Sequence, residues 1–277
     1  MKNILKEIVD YKKLELESLK RKVSLKDVTH KSQDIEAARN FLESLKSPQV
    51  PQVPFGKGGG LSSVRVIAEI KKSSPSAGLI RQNFNPDQIA HWYEDGGAAC
   101  ISVLTDEHFF QGHLDYISIV KKAVKLPVLR KDFTIDEYQI FEARGAGADA
   151  ILLIVRILED AQLKDYADIA HELGLSVLVE VHDQKEKERA LKSGVKILGV
   201  NNRNLDTLEI DLKTCETLSK DVSKDICFVA ESGISKSDDM KRLYAHGIFR
   251  FLIGETLMKQ ADPQAYLQHL IQGAYSR

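Results

Sequence analysis

From Val64 onward, the chain repeats one pattern: a short apolar segment, a polar turn and a stretch of helical periodicity. The apolar segments are continuous and rich in β-branched residues, which is typical of parallel strands covered on both faces. They predict strands at residues 64–71, 99–104, 127–131, 149–155, 176–181, 196–201, 226–231 and 249–253. Eight alternations over about 210 residues match the size of a (β/α)8 barrel.

Helix boundaries support this interpretation. Asn85-Pro86 and Asp262-Pro263 each offer a capping side chain followed by a proline at the first helical position. Gly174 and Gly194 stand where helices should stop. A doubly wound open sheet is the competing architecture, but it usually needs fewer strands, and the G-x-G-x-x-G turn of a dinucleotide site is missing after the first strand. We therefore expect an α/β fold, a (β/α)8 TIM barrel with an N-terminal helical extension.

The residues before the first strand form a helical extension and a linker. Apolar spacing predicts an amphipathic helix over residues 3–22, and a second helix from Ser32 to about Leu45. The expected buried positions of the second helix are Ile35, Ala38, Phe41 and Leu42. Three prolines and four glycines in residues 47–60 predict an extended connector. We divide the chain into residues 1–60, the extension and linker packing on the barrel, and residues 61–277, the catalytic barrel.

Composition limits the function classes. The chain has 277 residues and a formal charge of −1, which gives no general attraction to nucleic acid or to an anionic membrane. Residues 1–31 hold nine Lys/Arg and five Asp/Glu, an excess of +4, which we interpret as a solvated helix face; a membrane- or partner-binding helix is the alternative. The cysteines Cys100, Cys215 and Cys227 are widely spaced, which favours reduced thiols in the cytoplasm over a disulfide framework or a zinc site. No signal peptide or membrane span is indicated.

The charged and amide residues come at the carboxyl ends of the predicted strands. Strand alternation places Glu69 and Lys71 on one face of the first strand. The later strands end on Thr105-Asp106, Arg130-Lys131-Asp132, Glu180 with His182, Asn201-Asn202-Arg203, Glu231-Ser232 and Gly254-Glu255. In a barrel these ends converge, so the pattern predicts one shared polar site. On an isolated edge strand, Glu69 and Lys71 would instead be a solvated pair.

The last two turns of the barrel are typical of a phosphate site. Ser232-Gly233-Ile234 leads into a helix predicted to begin near Ser235, and Gly254-Glu255 leads into a short helical stretch. Glycines let the backbone approach an anion closely, and helix N-termini offer unpaired N–H groups. Ser74 and Ser76 in the first loop could add hydroxyl donors. The alternative is that these are simply two tight turns.

Eight motifs, in order, also resemble those of the indole-3-glycerol phosphate synthase family. They are A-E-I-K-K-S-S-P-S, L-T-D-x-x-F-F-Q-G (104–112), L-R-K-D-F (129–133), G-A-D-A-I-L-L-I (147–154), L-V-E-V-H-D (178–183), G-V-N-N-R-N-L (199–205), A-E-S-G-I (230–234) and L-I-G-E-x-L-M (252–258). The resemblance runs through essentially the whole predicted barrel. The helical extension is also similar to that family's, which lies near the mouth of the barrel.

This resemblance implies a reaction and its catalytic residues. The substrate would be 1-(2-carboxyphenylamino)-1-deoxyribulose 5-phosphate, cyclised with loss of carbon dioxide and water to indole-3-glycerol phosphate. Lys131 would be the acid for ring closure, and Lys71 would orient the substrate carboxylate and take part in proton transfer during dehydration. Glu180 would be a general base or electrostatic stabiliser, with Glu69 setting the charge and geometry of the lysines. The division of acid and base roles among these four residues stays open.

The same residue-by-residue matching implies further contacts with the substrate. Asn201 and Ser232, grouped with the catalytic residues, would hydrogen-bond the substrate, and Arg203 would contact its carboxylate end. Leu205 would also contact the substrate, and Glu231 belongs to the site without a defined role.

The two ends of the substrate would meet different surroundings. Phe110 and Phe133 would form an apolar slot for the anthranilate ring, with ordinary packing as the alternative interpretation. Ser74, Gly233 and Gly254 would hold the phosphate.

Other polar residues receive no catalytic role. The Glu255 side chain is left out of phosphate binding, and His182 is interpreted as a supporting or structural residue. Because no His/Asp/Cys set has convincing metal spacing and no step demands one, we expect neither a metal nor an organic cofactor.

Two other functions are the alternatives. Another phosphate-binding barrel enzyme, such as phosphoribosylanthranilate isomerase, would require a cysteine near the end of the first strand, where this chain reads E-I-K-K. A non-catalytic sugar-phosphate-binding barrel would not need lysines and carboxylates that converge. For partners, we expect a small-molecule substrate, no nucleic acid, no membrane and a monomeric chain; contacts with other enzymes of the pathway stay open.

Overall fold

A computed structural model describes residues 4–46 and 64–274 of the chain. Eight parallel strands close into a barrel in which each strand pairs with its neighbours in chain order and the last pairs with the first. The strands are β1 (Arg65–Ile70), β2 (Cys100–Leu104), β3 (Val128–Lys131), β4 (Ala150–Ile154), β5 (Ser176–Val181), β6 (Ile197–Asn201), β7 (Cys227–Glu231) and β8 (Arg250–Ile253). Each lies within its predicted segment, which confirms the predicted TIM barrel.

Helices alternate with the strands around the outside of the barrel. They are α4 (Pro86–Asp95), α5 (Glu107–Phe110), α6 (Asp115–Ala123), α7 (Glu137–Gly145), α8 (Asp160–Glu172), α9 (Gln184–Lys192), α10 (Lys213–Leu218), α11 (Ser237–Tyr244), α12 (Glu255–Met258) and α13 (Pro263–Gly273), with a 3-10 turn at Val155–Ile157. The predicted caps are confirmed: Asn85 accepts hydrogen bonds from the first turn of α4, and Asp262 does so at α13. In the first loop, Ser73–Ser74 and Gly78–Leu79 form a small antiparallel hairpin.

Strand alternation separates two apolar layers. Ile67 lies inside the barrel with Leu129, Leu152, Leu178 and Val229, whereas Val66 and Ala68 pack between the strands and the helices. Because Glu69 and Lys71 follow Ile67 at intervals of two residues, they continue on the inward side, as predicted.

The N-terminal extension forms three helices, α1 (Ile4–Lys22), α2 (Leu25–Gln33) and α3 (Phe41–Lys46). The first confirms the prediction, but the predicted helix from Ser32 to Leu45 is wrong. Residues 34–40 are not helical, and of the expected buried stripe only Phe41 is fully buried. The predicted linker at residues 47–60 and the domain boundary at residue 60 lie outside the described residues.

Hydrogen bonds to the barrel explain the break between α2 and α3. The Arg144 guanidinium donates to the carbonyls of Ile35 and Glu36, and the Arg39 N–H donates to Asp149 Oδ1 at 2.6 Å. These bonds take backbone groups that a continuous helix would pair internally. The extended segment thereby delivers Phe41 to the amino-terminal end of the barrel, where it joins the interior apolar cluster.

Candidate active site

A cavity of about 650 Å³ opens at the carboxyl ends of the strands. All fourteen residues assigned to the site from the sequence line it: Glu69, Lys71, Ser74, Phe110, Lys131, Phe133, Glu180, Asn201, Arg203, Leu205, Glu231, Ser232, Gly233 and Gly254. Residues from all eight strands or the turns that follow them reach this one space, as expected when parallel strands converge in a barrel.

Lys131, at the end of β3, lies among three carboxyl groups. Its Nζ is 3.3 Å from Glu180 Oε2 and 3.9 Å from Glu231 Oε2. Burial works to lower the pKa of Lys131, but the charges of Glu180, Glu231 and Glu69 raise it overall. The ammonium is therefore protonated throughout the neutral range and is a permanent proton donor in the cavity.

Glu180 and Glu231 interact closely, and their pKa values shift in opposite directions. Burial disfavours the Glu180 carboxylate, yet Lys131 and His182 lower its pKa well below the usual value. The pKa of Glu231 moves the other way: burial and the neighbouring Glu180 carboxylate raise it well above normal. The ionised form is therefore favoured at Glu180 and disfavoured at Glu231.

A second cation–carboxylate pair lies on β1. Lys71 Nζ donates to Glu69 Oε1 at 2.7 Å, and both side chains are largely buried. Gly254 packs directly against this pair, because a Cβ added there would lie 2.9 Å from Glu69 Cβ and closer still to its carboxylate. Because Gly254 has no side chain, it leaves room for the Glu69 side chain as well as forming a turn.

Asn201 and Arg203 link β6 to neighbouring elements. Asn201 Nδ2 donates to Glu180 Oε1 at 3.0 Å, while its Oδ1 accepts from the Arg203 backbone N–H at 3.0 Å. The Arg203 guanidinium donates to the Leu208 carbonyl at 3.2 Å and lies 3.6 Å from Glu255 Oε2. The amide therefore fixes the orientation of Glu180, and Arg203 reaches across the cavity mouth.

One wall of the cavity is apolar. The rings of Phe110 and Phe133 face each other with their centroids 6.0 Å apart at an angle of 37°. Helix α1 adds Ile4, Leu5 and Ile8 to the lining. These side chains provide a surface suited to an aromatic group.

Two turns form the polar end of the cavity. Ser232 and Gly233 both adopt left-handed φ angles, 62° and 79°, and Asn202 Nδ2 holds this turn by donating to the carbonyls of Glu231 and Ser232. A left-handed serine at a turn is uncommon and is typical of functional sites. Gly254, the residue before α12, faces the same end.

The helix after the Ser232 turn begins at Ser237, two residues after the predicted start near Ser235. The Asp239 carboxylate accepts from the backbone N–H groups of Ser235 and Lys236, at 2.9 and 3.0 Å. These N–H groups are therefore already paired within the chain, which leaves the Gly233 turn and the Gly254 turn as the places for an anion.

Lys12 contributes to the site without having been predicted. It is almost completely buried in α1, with its Nζ 2.8 Å from Asp106 Oδ2 and 3.1 Å from Asp132 Oδ1. Asp132 directly follows Lys131, so the Lys12–Asp132 ion pair attaches α1 to the rim of the cavity. The signal was present in the sequence, because Lys12 interrupts the buried stripe between Ile8 and Leu16.

Two residues after β2, Asp106 and His108, make local contacts. Asp106 caps α5 by accepting from the Phe109 N–H. His108 is exposed but stacks on Tyr11 of α1, with ring centroids 4.0 Å apart. Cys100, Cys215 and Cys227 are buried free thiols.

The described residues hold neither a metal-binding cluster nor a membrane-spanning helix. Within residues 4–46 and 64–274, no group of three or more His, Cys, Asp or Glu side chains is arranged to hold a metal ion. None of the helices in these ranges is long and apolar enough to cross a membrane.

Comparisons with known proteins agree with the resemblance noted in the sequence. The family model for indole-3-glycerol phosphate synthase matches residues 5–270. The indole-3-glycerol phosphate synthase of Chlorobium chlorochromatii (strain CaD3) is 50% identical over 250 residues, which cover 90% of this chain and 93% of that protein. The one from Paracidovorax citrulli (strain AAC00-1) is 44% identical over 274 residues, covering 98% and 99%. Among solved structures, the N-acetylmannosamine-6-phosphate 2-epimerase from Clostridium perfringens has a TM-score of 0.58 over 84% of this chain and 96% of its own, and its 16% identity shows a shared fold alone.

Proposed function

The chain belongs to the indole-3-glycerol phosphate synthase family, and on that premise we propose how the residues of its cavity divide the reaction among them. The reaction is a decarboxylating, dehydrating ring closure of 1-(2-carboxyphenylamino)-1-deoxyribulose 5-phosphate in tryptophan biosynthesis. The observation that carries the proposal is the position of Lys131, a protonated donor between Glu180 and Glu231 inside the cavity.

Lys131 acts as the acid for ring closure. When the aromatic carbon attacks the ribulose carbonyl, negative charge develops on the carbonyl oxygen, and Lys131 donates its proton there. The raised pKa of Lys131 does not prevent this step, because an alkoxide is a far stronger base than the carboxylates that surround the ammonium. The same ammonium stabilises the developing charge before the proton moves.

Glu180 acts as the base in the steps that follow. Loss of carbon dioxide restores the aromatic ring, and loss of the hydroxyl then requires an acid at the leaving oxygen and a base for the departing proton. Glu180 is held ionised by Lys131 and His182 and can take that proton. Burial and the neighbouring Glu180 carboxylate raise the pKa of Glu231, which disfavours a second negative charge beside Glu180.

Lys71 orients the carboxylate of the substrate and takes part in dehydration. Its contact with Glu69 fixes the ammonium at the cavity wall. Arg203 lies at the mouth to meet the same end of the substrate, and Asn201 and Ser232 hydrogen-bond the reacting region. Lys71 and Arg203 must bind the substrate carboxylate firmly enough to position it. Because this group leaves as neutral carbon dioxide, the two cations must not bind it so tightly that they prevent decarboxylation.

The apolar wall and the polar turns bind the rest of the substrate. The slot between Phe110 and Phe133, extended by Leu205, takes the anthranilate ring. The backbone at Gly233 and Gly254, together with Ser74, takes the phosphate through N–H and hydroxyl donors. Placing the two ends in different surroundings brings the reacting carbons together.

We further propose that the chain works as a monomer in the cytoplasm. All fourteen proposed residues come from one chain, so the site requires no second subunit. Three buried free thiols suit a reducing compartment. Light scattering after size exclusion should give the 31.0 kDa of a single chain.

The proposed roles are tested by following indole fluorescence after mixing the purified protein with the ribulotide substrate. We expect Glu180→Gln to lower kcat by about 10²-fold or more, as for loss of a general base, and inorganic phosphate to raise the apparent KM of the wild-type protein without changing kcat. Unchanged turnover in Glu180→Gln would remove that residue from the base role. Indifference to high phosphate would refute the assigned phosphate turns.

A further inference from the structure

We propose that His182 is a positioning residue: an imidazolium, charged at neutral pH, that holds Glu180 in its ionised form and in its catalytic orientation. This inference rests on the base role proposed above for Glu180. Nothing in the reaction itself requires a histidine at this place.

The geometry places a carboxylate at each nitrogen of the ring. His182 follows β5, two residues beyond Glu180, and its side chain is 3% exposed. Its Nε2 lies 3.2 Å from Glu180 Oε1, and its Nδ1 lies 3.0 Å from Glu186 Oε2. A neutral imidazole carries only one N–H, so it would turn a lone pair toward one of these carboxylates. The doubly protonated ring has one N–H facing each of the two carboxylates.

The outer carboxylate is fixed from several directions. Glu186, in the first turn of α9, accepts the His182 backbone N–H at 2.7 Å and the Arg156 Nε–H at 2.6 Å. Arg156 belongs to the 3-10 turn after β4 and also approaches Asp183, the cap of α9. Glu186 therefore cannot turn away from the ring without losing two other bonds.

The contacts form a row of alternating charge from the cavity to the outside of the barrel. The charged groups that face the ring are Glu180 on its own strand and Glu186 on α9; beyond them lie Lys131 on β3 and Arg156 after β4. Each buried charge lies between opposite charges, which offsets its desolvation. The His182–Glu180 contact does not have the geometry of a well-directed hydrogen bond, so it acts mainly through charge.

The electrostatics agree with this role. Burial works to lower the pKa of His182, but the two carboxylates raise it to about 9, so the ring is charged at neutral pH. Glu180 then has Lys131 at one oxygen and His182 with Asn201 at the other, whereas Glu231 Oε1 has no hydrogen-bond partner among the described residues. The ionised form is consequently favoured more at Glu180 than at Glu231.

The test is the pH profile of His182→Gln, which removes the charge but keeps a polar side chain. We expect kcat at neutral pH to fall about tenfold or more, with KM changed less than about threefold. The acidic limb of the kcat profile should move up by about 1–3 pH units, because Glu180 loses an adjacent positive charge. The control is His171→Gln, at an exposed position on α8, which should leave the profile unchanged. An acidic limb that stays in place in His182→Gln would overturn the inference, whatever happens to kcat.

Glu180→Gln, measured in parallel, separates this inference from the proposed function. If Glu180→Gln is inactive and the acidic limb of His182→Gln does not move, the positioning role fails and the base role stands. If Glu180→Gln keeps full turnover, the base role fails, and the positioning role that rests on it fails as well.

A measurement on the wild-type protein decides the matter if His182→Gln does not fold. The chain has eight histidines, so 15N-histidine labelling gives a simple long-range 1H–15N spectrum. We expect at least one imidazolium with both ring nitrogens protonated at pH 8. Eight neutral rings at pH 8 would refute a charged His182.

Discussion

At the scale of single residues, glycines determine where the catalytic carboxylates can lie. Gly199 on β6 has its Cα facing Glu231, and a Cβ added there would collide with Glu231 Oε1; Gly254 stands in the same relation to Glu69. Neither glycine has a positive φ. Their role here is therefore to leave space for a carboxyl group, which a strand pattern read from sequence does not reveal.

Gly199→Ala should accordingly damage activity more than stability. The added methyl group displaces the flexible end of Glu231 rather than the backbone, and a misplacement of about 1 Å in a catalytic group can cost about 10²-fold in rate. We expect kcat to fall by that order with a nearly unchanged urea midpoint. Gly145→Ala is the matched control, because the nearest atom to its new Cβ would be Lys31 Cγ at an ordinary 3.4 Å. Equal kcat values in the two variants would contradict this account of Gly199.

The same scale shows what residue patterns could predict. Alternation along β1 correctly placed Glu69 and Lys71 on the inward face, because that inference needs only the strand period. The raised pKa of Glu231 and the position of His182 between two glutamates could not be predicted, since both depend on which side chains from other elements lie close by. Lys12 was an intermediate case: its place on an apolar stripe was visible, but its two aspartate partners were not.

At the scale of elements, helix α1 is attached to the barrel by one buried charge and by apolar contacts. Lys12 pairs with Asp106 after β2 and with Asp132 after β3, while Leu16 packs with Val28 and Tyr138. Burial works to lower the pKa of Lys12, but the two aspartates raise it, so the Lys12 ammonium is charged at neutral pH. The helix that supplies part of the cavity wall is thus fixed beside the catalytic Lys131.

Lys12→Met should loosen this attachment. It removes the cation but keeps the length of the side chain, leaving two buried carboxylates short of a partner, so we expect the free energy of unfolding to fall by about 3 kcal/mol. KM should rise because Ile4, Leu5 and Ile8 of α1 line the cavity. Lys13→Met, at the exposed neighbouring position, is the control for chemical denaturation and steady-state kinetics. If both variants unfold at the same denaturant concentration, the buried pair does not hold α1.

Elements were predictable to the degree that local signals determine them. All eight strands were found because parallel strands are buried on both faces and appear as continuous apolar runs. The second N-terminal helix was mispredicted because its middle, residues 34–40, bonds to Arg144 and Asp149, which are about a hundred residues away in sequence. Tertiary contacts there override a helical spacing that is real but weak.

At the scale of the whole molecule, the barrel brings together charges that no local segment could stabilise. Lysines from β1 and β3 and carboxylates from β1, β5 and β7 share one buried space, together with the turns assigned to phosphate. Sequence could predict this convergence because strand ends in a barrel meet at one face. It could not predict the row of charges that continues through His182 and Glu186 to the exterior.

That row should give the protein a distinct pH dependence of stability. A histidine whose pKa is raised from 6.5 to about 9 on folding contributes stability that is fully present below pH 6.5 and lost as the pH rises through about 9. The difference corresponds to roughly 3 kcal/mol. Urea unfolding at pH 6.5 and pH 9 should therefore show a steeper loss for the wild-type protein than for His182→Gln. Parallel losses in the two proteins would mean that His182 has an ordinary pKa in the folded state.

The central claim is that Lys131, held among Glu180, Glu231 and Glu69, donates the proton for ring closure. Its most direct test is the kcat of Lys131→Ala with the ribulotide substrate, followed by indole fluorescence, beside Lys164→Ala as a control at the exposed face of α8. We predict a loss of at least about 10²-fold in kcat for Lys131→Ala, with folding retained and the control unaffected. A Lys131→Ala protein that turns over at close to the wild-type rate would contradict the account.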